Sequence, residues 1–312
     1  MARKEELTYK SRDRKTTIHA IRWIPDEKPI AILQIIHGMQ EFIDRYDEFA
    51  NYMTDNGIMV IGNDHLGHGE SISESVPFGY FCKNDPATVL LRDAHRLKKM
   101  TQEEYPGVPV IILGHSFGSF IAREYLTRYG TGIQGAIIQG TGWQTPGTLK
   151  SGKALTAFIS AFLGEKHRSN MINNMAFKNY NKRIQNPKTK VDWLSHNEES
   201  INKYINDPRC TFIFTINGFE TMFEILTRVQ DVGKMEDIPK KLPILLTAGK
   251  EDPVGDYGAA VEQLYKIYTE QVGLTDVELK LYDGMRHELQ QEVGREQVFA
   301  DQLAWIKKTI GK

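Results

Sequence analysis

The stretch VPVIILGHSFGSFIAREY, Val108 to Tyr125, decides the fold. Val108, Val110, Ile111, Ile112 and Leu113 form a short, β-branched apolar run, which suits a strand covered on both faces. Gly114-His115-Ser116-Phe117-Gly118 follows. Beyond it Phe117, Ile121 and Tyr125 recur at helical spacing, and Gly130 stands where a helix C-cap glycine belongs. A G-x-S-x-G between a strand and a helix is the nucleophile-elbow pattern. The turn is so sharp that the serine takes a strained backbone conformation. The two glycines leave room for strand and helix to cross. Ser116 then projects clear of the sheet, and the helix N-terminus behind it favours developing negative charge. A glycine-rich turn that happens to contain a serine is the alternative; the flanking strand and helix favour the elbow.

Outward from this unit the chain keeps a strand–helix rhythm. Upstream, strands are expected at Leu7 to Lys10, Thr16 to Trp23, Ile30 to Ile36 and Ile58 to Ile61. A helix is expected through Tyr46, Phe49, Ala50 and Met53. A second follows Asp85-Pro86 through Leu90, Ala94, Leu97 and Met100. Downstream, Ile133 to Ile138 is a strand. The rhythm breaks after Gly140 and resumes with strands at Leu242 to Thr247 and Val277 to Leu281. Helices follow through Tyr257, Val261, Leu264 and Tyr268, and through Phe299, Leu303, Ile306 and Ile310. This order predicts an α/β fold with a mostly parallel sheet and helices on both faces. Residues 1–140 and 236–312 form the expected core, and 141–235 a mainly helical insertion.

The bulk numbers exclude several classes. A chain of 312 residues, 40% hydrophobic and 25% charged, is an ordinary globular protein. Its net charge of −1 gives no electrostatic argument for nucleic acid or an anionic membrane as partner. Two cysteines, Cys82 and Cys210, are too few for a disulfide framework or a thiolate metal site. A charged N-terminus without an apolar core and the lack of a spanning apolar run predict a cytoplasmic protein.

Serine hydroxyl needs a base, and the base needs an orienting acid. On this kind of sheet the three follow in the order Ser, acid, His, each after a strand's C-terminal end. Asp252 follows the Leu242 to Thr247 strand, and His287 follows the strand ending near Tyr282. Glu251 and Asp256 are rivals for the acid. His65, His68 and His115 are rivals for the base, but all precede Ser116. Oxyanion donors are expected at the backbone N–H of Phe117 and of Met39, where Gly38 lets the turn fold close to the serine.

HGMQE, DHLGHGES, GHSFGS, EDPVGD and YDGMRHE together resemble the monoglyceride lipase and lysophospholipase branch of the α/β-hydrolase superfamily, grouped with the serine-aminopeptidase-like (S33-type) hydrolases. Asp64, Gly67, His68, Gly69 and Ser71 carry the most specific part. His65 and His68 then shape a loop near the oxyanion turn rather than bind metal. Asp192-Trp193-Leu194-Ser195, Tyr204, Asp207-Pro208 and Cys210 resemble the cap of bacterial lysophospholipase-like members. Gln40 and Phe42 depart from the branch, which has Gly and His there, and leave glycerol-ester specificity open.

The resemblance implies two-step acyl transfer on esters such as monoacylglycerols or lysophospholipids, with no cofactor and no metal. The alternatives are an amide or peptide hydrolase on the same three residues, and a non-catalytic binding protein on the scaffold. The apolar face Leu155, Phe158, Ile159, Phe162 and Leu163 suits an acyl-chain entrance, peripheral lipid contact, core packing or a homodimer contact.

Overall fold

The computed structural model describes residues 3–311, so Met1, Ala2 and Lys312 at the ends of the expected core lie outside it. Eight strands form one sheet in the order β1-β2-β4-β3-β5-β6-β7-β8. They are β1 (Arg3–Lys10), β2 (Thr17–Ile24), β3 (Ala31–Ile36), β4 (Ile58–Asn63), β5 (Val110–His115), β6 (Gly135–Gln139), β7 (Ile244–Gly249) and β8 (Val277–Tyr282). From β4 to β8 every neighbouring pair is parallel; β1 and β2 are antiparallel additions at one edge.

Every residue of β3 to β7 is buried. That explains their unbroken apolar runs: parallel strands covered by helices on both faces have no solvent side to make polar. At the edge β1 alternates and carries charged residues at its first four positions and its last, which keeps an open strand soluble. It extends further than the expected Leu7 to Lys10, because Arg3 to Glu6 pair with β2 despite their low strand propensity.

One face is covered by α1 (Asp47–Asp55) and α10 (Arg295–Thr309), with the Phe49 and Phe299 rings in tilted contact. The other is covered by α2 (Pro86–Glu104), α3 (Phe117–Tyr129) and α9 (Ala259–Lys266). Asp85 caps α2 through the Thr88 N–H, with Pro86 at the first turn. Gly130 corrects the sequence reading in detail. It ends α3 with φ −59, not in the left-handed conformation, and the chain continues into a 3-10 turn. Glycine is needed there for space, since an added Cβ would lie 2.7 Å from Pro239.

Between β6 and β7, which pair directly, the chain makes α4 (Pro146–Leu163), α5 (Asn170–Phe177), α6 (Glu198–Asn206), α7 (Ile216–Val229) and α8 (Val232–Met235). The buried Arg123 of α3 ties both ends of this insertion to the core. Its guanidinium donates to Gly142 O at 3.1 Å and to Val229 O at 2.9 Å. Gln230 adds a reciprocal pair with the backbone of Gln144. The apolar face on α4 divides: Leu155 and Ile159 pack on the core, whereas Phe158, Phe162 and Leu163 are exposed. None of these five lines the central cavity. Among the described residues no helix is long and apolar enough to cross a membrane.

Candidate active site

The order of strands reverses at β3 and β5, and ligands in such sheets bind beyond the strand C-termini at that point. The expected residues gather there. Met39 follows β3, Ser116 follows β5, Asp252 follows β7 and His287 follows β8. Ser116 has φ 54 and ψ −121, an uncommon conformation for a residue with a Cβ. The neighbours explain why the chain holds it. A side chain at Gly118 would collide with the carbonyls of Ile36 and His37, and one at Gly114 with α3. Only glycines let β5 turn into α3 this tightly.

His287 Nδ1 lies 2.9 Å from Asp252 Oδ2, and both side chains are buried. Of the rival acids, Glu251 turns away to His196 Nε2 at 3.1 Å. Asp256 occupies a left-handed turn with Tyr257 that delays the start of α9 to Ala259. Ser116, Phe117, Met39 and His287 all line one cavity of about 290 Å³. An added Cβ on Gly38 would stand 3.0 Å from Ser116 Cβ, which measures how closely the turn after β3 approaches the serine. The Phe117 N–H opens α3 and so has no acceptor within the helix.

The rival histidines serve the frame. His37 Nε2 accepts the His65 N–H at 3.0 Å, so the His37 proton sits on Nδ1, facing Gly38 O at 2.8 Å. His65 Nε2 lies 2.9 Å from His37 O. His68 stacks on Phe81 among Phe212 and Phe214. Burial holds His65 down to about 4 and His68 to about 3, and lowers His37 well below the ordinary histidine range. Three neutral imidazoles thus form the floor of the turn that ends in Met39.

One ionic ladder escaped the sequence reading. Glu41 accepts the Gly38 N–H and lies 3.0 Å from His115 Nδ1, 3.1 Å from Tyr46 OH and 3.2 Å from Arg45. Arg45 then grips Glu288, the neighbour of His287. His115 directs its other nitrogen at His287 O, 3.3 Å away, so both nitrogens face acceptors. Burial disfavours charge on His115, but Glu41 outweighs it and raises the imidazole. Burial likewise opposes charge on Glu41, and His115 and Arg45 overcome it, holding the carboxyl far below its usual range. Arg45 thus lies between two buried carboxyl groups, Glu41 and Glu288, with His115 beside the first. Glu41 and Glu288 each lie in a motif that carries the resemblance, HGMQE and YDGMRHE. The pairing of Arg45 with Glu288 has no local signal, because the two residues lie 243 positions apart.

A doubly wound parallel sheet with a strained serine at an elbow and a histidine–carboxylate pair beside it defines an α/β-hydrolase. The sequence matches the serine aminopeptidase S33 family over residues 27–294, and the chain belongs to that family. Human monoglyceride lipase is 26% identical across 92% of this chain and 85% of its own. A monoacylglycerol lipase of Mycolicibacterium smegmatis is 22% identical across 91% and 90%. A thermostable carboxyl esterase from Bacillus coagulans, solved in complex with glycerol, superposes with a TM-score of 0.91 at 29% identity, covering 99% of each chain. By class the protein is a carboxylic ester hydrolase.

Proposed function

We propose that Ser116, His287 and Asp252 act as nucleophile, base and orienting acid in the hydrolysis of uncharged acyl esters of the monoacylglycerol type. The observation that carries this reading is the 2.9 Å contact of His287 Nδ1 with Asp252, made by an imidazole on the wall of the cavity that Ser116 lines. His287 takes the Ser116 proton as Oγ attacks the ester carbonyl. The N–H groups of Met39 and Phe117 receive the oxyanion. His287 returns the proton to the leaving alcohol, and water cleaves the acyl-enzyme by the same route.

Residues 141–235 act as a cap over the core formed by 1–140 and 236–312. From the cap come Ile172, Met175, Ala176, Phe177, Met222 and Leu226, an apolar wall that suits an acyl chain. Among the described residues no Lys or Arg lines the cavity, and the carboxylates that do, Glu41 and Glu288, are engaged by Arg45. That supports a neutral ester over a lysophospholipid phosphate. It also speaks against an aminopeptidase, which needs a free carboxylate for the substrate amine.

The test is Ser116→Ala with p-nitrophenyl butyrate and a monoacylglycerol as substrates and a fluorophosphonate probe as label. A loss of about 10⁴-fold or more in kcat with unchanged circular dichroism, and no labelling, is expected. Retained activity or labelling would remove Ser116 as the nucleophile. Lysophosphatidylcholine hydrolysed faster than monoacylglycerol would overturn the substrate assignment.

A further inference from the structure

The Asp192-Trp193-Leu194-Ser195 segment reaches from the insertion onto the loop that carries His287. Asp192–Leu194 form a 3-10 turn. The residues on either side of His287 grip it. Arg286 Nη1 donates to Asp192 O at 2.8 Å and to Ser195 O at 3.1 Å, and the Glu288 N–H donates to Leu194 O at 2.8 Å. The Trp193 N–H donates to Asn181 Oδ1 at 2.9 Å, which ties the turn back to the insertion. Bracketed in this way, the Trp193 ring rests against the His287 imidazole, with centroids 5.0 Å apart and planes tilted by 43°. Two further rings hold the indole: Tyr180 meets it in a T-shaped contact at 4.7 Å, and Phe177 lies nearly parallel at 6.3 Å. Trp193 and His287 are both buried, and both line the cavity that Ser116 lines.

We propose that Trp193 is a positioning residue for the base, holding the imidazole towards Ser116 and favouring its protonated form during acyl transfer. The inference rests on the reading of His287 as that base. An indole ring attracts a cation within about 6 Å of its centre, and more strongly where water is excluded. His287 becomes such a cation each time it takes the Ser116 proton. The attraction is absent while the imidazole is neutral, so it acts on the transition state more than on the ground state, which is what raises kcat. Packing adds a second effect. Asp252 holds Nδ1, but one hydrogen bond leaves the ring free to swing about it. Trp193 and His115, with ring centroids 5.0 and 4.8 Å from that of His287, restrict the swing. The insertion thereby supplies part of the catalytic centre. Even an ester too small to touch the apolar wall needs residues 192–195 seated on 286–288.

Measuring kcat and the pH dependence of kcat/KM on p-nitrophenyl acetate for the wild type, W193F, W193L and W193M tests this. The groups around His287 that titrate or carry charge are Asp252, His115 with Glu41, Glu288 with Arg45, and Arg286, with Tyr180 behind the indole. All are retained in the three variants. W193L and W193M should lose about tenfold in kcat, and W193F no more than about threefold. A base whose protonated form is less favoured gives up its proton at lower pH. The acid limb of kcat/KM should therefore move down by about half a pH unit in W193L and W193M. Circular dichroism should match the wild type, and the methionine variant serves where leucine disturbs the fold. Fluorophosphonate labelling keeps the two readings apart. Labelling absent from the wild type removes the triad; labelling present, with wild-type kcat in W193L, removes only the role of Trp193. An unshifted acid limb, an effect confined to KM for longer esters, or W193F as impaired as W193L would each overturn the proposal.

Discussion

Arg45 and Glu288 form a two-pronged ion pair, Nη1 to Oε1 at 2.6 Å and Nη2 to Oε2 at 2.7 Å. The planar guanidinium matches both carboxylate oxygens at once, which a lysine cannot do. Arg45 belongs to the segment after the Met39 turn, and Glu288 adjoins His287. One contact therefore fixes the expected oxyanion donors relative to the expected base. The insertion joins it: Glu288 N–H donates to Leu194 O at 2.8 Å, and the Tyr204 ring lies 5.0 Å from the Arg45 guanidinium.

Arg45→Met leaves Glu41 and Glu288 buried without their shared cation. A loss of roughly 3–5 kcal/mol of stability is expected, because each carboxylate keeps its desolvation cost. Arg45→Lys should fall between the two, since it restores the charge and not the fork. Urea unfolding of the three proteins checks this, and equal midpoints for Met and wild type would contradict it.

Asp252→Asn should lower kcat on p-nitrophenyl butyrate by about 10⁴-fold, through loss of the imidazole's orientation and charge stabilisation. Glu251→Gln should stay within about threefold, because its partner His196 is a partly exposed surface contact. The reverse ranking would assign the acid to Glu251.

Gly38→Ala places a methyl 2.7 Å from Glu41 Oε1 and 3.0 Å from Ser116 Cβ. The turn must shift away from the serine to admit it. A fall of about 100-fold in kcat, with KM nearly unchanged, is the expected outcome, since a displacement of about 1 Å is enough for that loss. A change confined to KM would show that the turn holds substrate and not the transition state.

Acid should unfold the protein through its neutral histidines. His65 and His68 titrate near 4 and 3 in the folded chain, against 6.5 for an ordinary histidine, and His37 is shifted in the same direction. The unfolded chain thus takes up protons first. Their contribution is intact above pH 6.5 and is lost as pH falls from 6.5 towards 4, at about 1.4 kcal/mol per pH unit for each group. His115, raised by Glu41, has the opposite sign: its contribution is complete below 6.5 and declines as pH rises through its folded value. Urea midpoints at pH 7, 6 and 5 test the first effect, and His68→Phe should flatten the slope. A midpoint independent of pH across that range would refute it.

The sequence alone determined the sheet and the places where chemistry leaves it. Buried parallel strands need apolar faces on both sides, so β3 to β7 stand out as unbroken runs. The elbow needs glycines at fixed spacing, so Ser116 is legible from Gly114 and Gly118. Asp252 and His287 follow from the order of strands, because each lies just past a strand's C-terminal end. Tertiary structure decided what strand order leaves open. It alone set Asp252 against the buried His287 and Glu251 against the partly exposed His196. It buried His65 and His68 in one cluster with His37 and set Gly130 against Pro239. It also brought Arg45 to Glu288 and divided the apolar stripe of α4 between core and solvent. Periodicity records that one face of a helix is apolar. Only the neighbours that fold against that face determine whether it is covered.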